Sequence, residues 1–403
     1  MRVTSLLCAL GLLLAGPLHA ADPDPADWEA VLGQARGQTV YWNAWAGEPR
    51  INDYIAWVGE QVEDRYGVSI VHVKLSDTAE AVSRVLAEKA AGTLEQGAVD
   101  LIWINGENFA AMKREGLLFG PWAEQLPNYP LTDPQNNPTV REDFTVPVEG
   151  YESPWGRAQI VFYYDTAAIE SPPRTLPALR DWAEAHPGRF TYPLPPNFLG
   201  STFLKQALLA LAEDPAVLYR PVAEADFEAV SAPLWDYLDT LHPHLWRQGR
   251  AFPANSSELR RLMGDGEILI GFSFNPSEAS AAIANLEFPP TVRSFVLEGG
   301  TIGNVSFVAI PFNASHQAGA MVVANYLLSP EAQARKQDPE VWGNFTVLAV
   351  DQLPPEDRAL FEAIDLGPAT LSPQALGAPV PEPHPSWMER LEQAWITRYG
   401  AGS

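Results

Sequence analysis

Short apolar runs alternate with amphipathic stretches from Thr39 onward. Thr39 to Trp42 and "VSIVHVKL" (68–75) and "VDLIWI" (99–104) are rich in β-branched residues and short enough to be strands. Between them, "PRINDYIAWVGEQVEDRYG" carries Ile51, Ile55, Val58 and Val62 at helical spacing, with Pro49 at its start and Gly67 past its end. "SDTAEAVSRVLAEKAAG" (76–92) repeats the helical period, and "NGENFAAMKREGLL" does so again after the third strand. This β-α-β-α-β-α order predicts a parallel sheet covered by helices on both faces.

Each predicted strand runs out into polar residues. Asn43 and Trp45 follow the first, Asp77 and Thr78 the second, Asn105 and Glu107 the third. In open α/β sheets such carboxyl ends face a crevice, and helix N-termini present unpaired N–H groups there. These residues are therefore expected to recognise a ligand, although Asp77 serves equally well as a helix cap.

A Pro/Asn-rich stretch (127–138) leads into "ESPWGRAQIVFYYD" (152–165), with a strand expected over Gln159 to Tyr164 and Trp155 just before it. A second α/β unit begins near residue 166. In it, "FLGSTFLKQALLALAE" places Ser201 and Thr202 at a helix start, and "GEILIGFSFNPSEASAAI" carries a strand into Phe274 and Asn275. "TVRSFVLEGGTIGNVSFVAIP" supplies two strands around a Gly-Gly corner, the second holding Asn304 and Ser306. A Pro-rich segment (368–385) precedes a last helix, with Ser386 and Glu389 spaced as a capping box.

Composition narrows the function. The first twenty residues have a minimal basic start, an apolar run from Val3 to Leu14 and a small-residue end near Ala20, the pattern of a cleaved secretory signal. Cys8, the sole cysteine, lies inside that run, so the mature chain is expected to have neither disulfides nor cysteine–metal sites. A net charge of −24 argues against nucleic-acid or anionic-membrane partners. The chain carries no Gly-x-Ser-x-Gly, His-Glu-x-x-His or phosphate-loop motif. The close pair His242 and His244 flanks a rigid proline unsuited to metal convergence. Aromatic, amide and hydroxyl groups at the strand ends instead describe a small-molecule site.

The order of these segments resembles the extracytoplasmic solute-binding proteins of ABC importers. "VYWNAW…INDYIAWVGEQVEDRYGVSIVHVKLSDT" with "VDLIWINGENFAAMKREGLL" looks like their first lobe, and "SPWGRAQIVFYYD" like the segment crossing between lobes. "GEILIGFSF" and "VSFVAIPFNASHQAGAMVVANYLLSPEAQA" are similar to the segments that close the fold. The nearest group is the YnjB type, within a class of polyamine-, thiamine- and iron-binding relatives.

The resemblance implies a two-lobed (type II) periplasmic-binding-protein fold. Each lobe would be a mainly parallel sheet flanked by helices, joined by two strands crossing near 157–165 and 291–300. Lobe 1 would comprise 21–158 and 300–403, lobe 2 159–299. It further implies a periplasmic monomer that catalyses nothing, holds no cofactor or metal, and hands a small solute to a membrane permease driven by its ATPase.

Aligning on Ile310-Pro311 puts Asn304 and Ser306 where polyamine binders carry Trp and Asp, which argues against a polyamine. Tyr163 and Tyr164, adjacent on a strand, face opposite sides and do not suit an iron site. Trp45 and Trp155 are expected to stack on the solute, with Asp77 and Glu107 offsetting a positive charge, as for a thiamine-like or other organic cation. An anion at the helix N-termini remains the alternative, as does a secreted hydrolase acting on glycans.

Overall fold

The computed structural model describes residues 23–400, so the expected signal segment (1–20) and Cys8 lie outside the described residues. The helix α1 (Trp28–Ala35) leads into β1 (Thr39–Trp45), α2 (Pro49–Tyr66), β2 (Ser69–Leu75), α3 (Ala79–Ala90), β3 (Leu101–Ile104) and α4 (Glu107–Arg114). The alternation read from the sequence is present, with boundaries shifted by a few residues. Gly67 closes α2 in the left-handed conformation (φ 68°), and its N–H donates to the Glu63 carbonyl.

These strands belong to one five-stranded sheet in the order β2-β1-β3-β10-β6, where β6 is Glu152–Gln159 and β10 is Gly303–Ala309. The first three strands run parallel, and β10 lies antiparallel between β3 and β6. A small hairpin of β4 (Glu142–Asp143) and β5 (Val146–Pro147) precedes β6. The helices α10 (Gln317–Leu327), α11 (Pro330–Gln337) and α12 (Pro355–Glu362) complete this lobe, whose core runs from Val31 to Trp155 and from Val305 to Phe361.

The second lobe has its own core. Its sheet is β8 (Ile270–Ser273), β7 (Val161–Asp165) and β9 (Val292–Phe295), flanked by α5 (Leu176–Ala185), α6 (Phe198–Leu211), α7 (Phe227–Leu241), α8 (Ser256–Gly264) and α9 (Glu278–Ala284). Here the expectation of a mainly parallel sheet needs correction. The central strand β7 enters from the other lobe and pairs antiparallel to both neighbours.

The C-terminal region also departs from expectation. After α12 the chain crosses back, since Ile364 packs on the first core whereas Ala369 belongs to the second. A short helix α13 (Pro373–Leu376) and then α14 (Pro385–Tyr399) follow. Trp387, Leu391 and Trp395 of α14 are buried in the second core, so residues beyond about 368 do not return to lobe 1. The three apolar positions recur at helical spacing and need a partner face, which α6 provides. The capping box at Ser386 does not form; His384 caps instead, its side chain accepting from the Ser386 N–H.

Three chain segments therefore join the lobes. Ile160 separates β6 from β7, and its N–H donates to the Ile302 carbonyl at 2.8 Å. The Thr301 hydroxyl donates to the Ile160 carbonyl at 2.7 Å. The third segment is the return after α12, between Ile364 and Ala369. Farther along, Val380 lies beside the second crossing, its N–H donating to the Thr301 carbonyl and its carbonyl accepting from the Gly303 N–H. Such a narrow ribbon of backbone hydrogen bonds is where rotation between two packed bodies costs least.

Trp395→Ala tests the assignment of α14. It removes a buried ring and the hydrogen bond from Trp395 Nε1 to the Tyr192 hydroxyl. The expected loss is about 3–5 kcal/mol of stability in urea unfolding monitored on the second lobe. A loss below about 1 kcal/mol would contradict the packing described.

Candidate functional site

The carboxyl ends of β1, β2 and β3 open onto a cavity of about 250 Å³ between the lobes. From lobe 1 it is lined by Trp45, Asp77, Thr78, Trp103, Asn105, Glu107 and Trp342, with Asn304 and Ser306 from β10. Lobe 2 contributes Tyr163, Phe198, Phe274 and Asn275, and Met388 comes from α14. Nine of the thirteen residues singled out in the sequence thus meet in one cavity: Trp45, Asp77, Thr78, Asn105, Glu107, Phe274, Asn275, Asn304 and Ser306.

Four do not reach it. Asn43 is fully buried within β1, where its Nδ2 donates to the Tyr41 carbonyl. Trp155 is also fully buried, its ring 4.8 Å from Trp103 and 5.4 Å from Trp342. It backs the two tryptophans that do line the cavity. Ser201 and Thr202 sit one turn inside α6, because Asn197 is the cap and its side chain accepts from the Leu199 N–H. Their hydroxyls donate to Glu392 Oε1 and to the Phe198 carbonyl, both at 2.6 Å.

Local structure fixes the polar wall. Asp77 is a cap as well as a rim residue, with Oδ1 accepting from the Ala79 N–H at 2.8 Å. Thr78 Oγ1 donates to the Trp103 carbonyl, tying the end of β2 to β3. Asn275 Nδ2 donates to the Trp342 carbonyl at 3.0 Å, a bond from one lobe to the other. Trp45 lies flat over Gly47, where an added Cβ would fall 2.3 Å from its ring. That answers why the strand ends in Trp-Ala-Gly: the glycine lets the indole fold back over the chain.

Charge in the wall is unequal. Two arginines, Arg50 and Arg260, face four carboxylates, Glu48, Asp77, Glu107 and Glu278. Both arginines are already neutralised: Arg260 lies 2.6 Å from Glu48, 2.7 Å from Glu278 and 2.8 Å from Glu287. Arg50 lies 3.4 Å from Glu48 and 3.6 Å from Glu278. Glu107 has no such partner. Its Oε1 accepts from Asn108 Nδ2, while Oε2 is buried without a hydrogen-bond partner.

Burial raises the Glu107 carboxyl to about 7, with Glu392 and Asp77 pushing the same way against Lys205. Glu392 is likewise raised to about 7 by burial. Lys205, buried under the rings of Phe144 and Phe198, is held by Glu382 at 2.7 Å. Asn304 Nδ2 donates to that same glutamate, leaving Asn304 Oδ1 buried and unpartnered.

Several wall residues escaped the sequence reading. Trp342 and Asn344 follow α11 in "VWGNF", and Met388 and Arg260 lie within ordinary amphipathic helices; neither position has a local signature. Tyr163 lines the cavity, whereas Tyr164 turns to the opposite face against Phe295. Among the described residues no group of three or more His, Cys, Asp or Glu is placed to hold a metal ion. A wider hollow of about 760 Å³, lined by Trp57, Arg335 and Leu360 among others, lies away from the strand ends.

The model of a family of bacterial extracellular solute-binding proteins matches residues 57–355. Protein YnjB of Escherichia coli (strain K12) is 44% identical over 400 residues, covering 99% of this chain and all of that protein. Among solved structures, a putative spermidine/putrescine ABC transporter protein from Listeria monocytogenes superposes with a TM-score of 0.62 at 17% identity, covering 90% of this chain and 98% of the other. The periplasmic binding protein AfuA from Actinobacillus pleuropneumoniae, with fructose-6-phosphate bound, gives 0.60 at 16%, covering 90% and 99%. At these identities the two structures speak for the shared two-lobed fold.

Glu107 makes stability depend on pH in a definite direction. Its folded-state value lies above the ordinary 4.5, so the folded chain holds the extra proton between about pH 4.5 and 7. Stability therefore falls as pH rises through that window, at up to about 1.4 kcal/mol per unit from this group. Glu107→Gln is expected to flatten the slope in urea titrations at pH 5, 6 and 7. A slope identical to the parent protein would contradict the burial of this carboxyl.

Proposed function

Because the chain belongs to the bacterial extracellular solute-binding proteins of ABC importers, we propose that its interlobe cavity captures a small organic cation. Proteins of this family bind a small solute and deliver it to an importer's permease. The finer reading is of a periplasmic monomer, without catalysis of its own, serving a permease and its ATPase.

One observation carries the choice of charge. Both arginines on the wall are ion-paired, although Arg50 Nη1 is buried without a hydrogen-bond partner; the wall's four carboxylates outnumber them, and Glu107 retains an unpartnered oxygen. An anion reaching Arg50 would sit beside Glu48 and Glu278, whereas a cation completes the pairing of Glu107. Trp45, Trp103, Phe274 and Trp342 supply ring faces beside it. A desolvated cation–π contact contributes about 2 kcal/mol. A hydrogen bond to the charged carboxylate adds roughly 1.5–3 kcal/mol. Asp77 lies at the rim, and Asn105, Ser306 and Asn304 offer amide and hydroxyl groups to fix orientation.

The cavity is smaller than the roughly 300–1,000 Å³ of pockets for drug-sized ligands, which favours a metabolite with a single ring or short chain. A solute adds to the stability of the closed form through contacts made only when both lobes touch it: Trp45 and Glu107 from one side, Phe274 and Phe198 from the other.

Native mass spectrometry of gently purified protein, followed by calorimetry with the recovered compound, tests the reading. The expected ligand carries a net positive charge, and Glu107→Gln weakens it about tenfold to a hundredfold, or roughly 1.4–3 kcal/mol. A sugar phosphate or other anion recovered from the cleft, with unchanged affinity in Glu107→Gln, would overturn it.

A further inference from the structure

The paired arginines line the cleft, and the pairs run between lobes. Glu48 and Arg50 begin α2 in lobe 1, while Arg260 of α8 and Glu278 of α9 belong to lobe 2. Each lobe thus contributes one acid and one base. Across the gap, Arg260 reaches Glu48 at 2.6 Å and Arg50 reaches Glu278 at 3.6 Å. All four side chains are only about a tenth exposed. Beside them, Ser257 of α8 donates its hydroxyl to the Gly47 carbonyl at 3.1 Å.

We propose that Glu48, Arg50, Arg260 and Glu278 form a four-charge clasp that holds the two lobes shut across the cleft, whether or not a solute is bound.

The arrangement suits a reversible fastening. Removing one member of a buried ion pair strands a charge, which is strongly destabilising. This clasp avoids that cost when it opens, because each lobe keeps a pair of its own. Glu48 retains Arg50 at 3.4 Å, and Arg260 retains Glu278 at 2.7 Å and Glu287 at 2.8 Å. Opening exchanges cross-lobe pairs for hydrated within-lobe pairs, so the two states differ little in free energy and the balance is set by the medium. Salt screens the attraction between separated lobes, whose charges are exposed, over about 10 Å at 0.1 M and 3 Å at 1 M. High salt therefore favours the open form.

The clasp also bears on the binding wall. Gly47, whose carbonyl takes the Ser257 bond, lies directly under the Trp45 ring. Fastening α8 to this turn fixes the indole that faces the solute. Glu48 and Glu278 meanwhile occupy the guanidinium groups that an anion would seek.

Single-molecule energy transfer between dyes at Leu94→Cys in lobe 1 and Glu213→Cys in lobe 2, both exposed, reads the lobe separation in a chain with Cys8 replaced by Ser. No solute is added, so the outcome is independent of what the cleft binds. The parent protein is expected to be mainly closed at 0.1 M NaCl, with an open fraction at least threefold larger at 1 M. Glu48→Lys should raise the open fraction at least fivefold at 0.1 M, and adding Arg260→Glu to it should restore closure by exchanging the charges. If the separation is insensitive to salt in the parent protein, or the double exchange stays as open as Glu48→Lys alone, the clasp is not what holds the lobes together.

Discussion

A charge taken out of water must find an opposite charge or give up its ionisation, and the cleft of this protein is built around that rule. Three of its cations follow it: Arg50 and Arg260 lie against Glu48, Glu278 and Glu287, and Lys205 against Glu382. Glu107 does not, and burial pushes its carboxyl up to about 7. The solute's role, in this account, is to supply what the protein leaves out. Trp155 stands behind this wall as a fully buried support for Trp103 and Trp342, so the aromatic faces are held by the core and not by the ligand.

Architecture turns this local imbalance into a transport step. The crossings at Ile160 and Thr301, with Val380 laid beside them, are tied by hydrogen bonds into a narrow strip between the lobes. α14 extends from the second core to touch α4, whose first residue is Glu107. The cavity is lined by the Glu48–Arg260 pair and by Met388 of the C-terminal helix. A solute that bridges Glu107 and the lobe 2 rings stabilises the closed arrangement by as much as its contacts favour that state over the open one.

Much of this was legible in the chain itself. The strand–helix alternation from Thr39 to Arg114 rests on periodicity and punctuation, which are local, and the polar tips at Trp45, Asp77, Asn105 and Glu107 follow from where parallel strands end. The errors have a common cause. Trp155 neighbours the crossing in sequence, but it sits where the β6–β10 register shifts, and its ring is buried in the lobe 1 core. Gly200, Ser201 and Thr202 read as a helix start, but Asn197 is the cap and α6 begins at Phe198. The direction of β7 and the home of α14 depend on which lobe a crossing chain enters, and no local pattern records that. Arg260 and Glu48 are far apart in sequence; only the fold makes them a pair.

The central claim is that the solute's positive charge replaces the proton on Glu107. Calorimetry of the natural solute at pH 6.5, repeated in buffers of different ionisation enthalpy, measures the protons exchanged on binding. The account predicts net proton release, abolished in Glu107→Gln, with affinity rising from pH 6 to a plateau above 7. Proton uptake on binding, or release that persists without the Glu107 carboxylate, would contradict it.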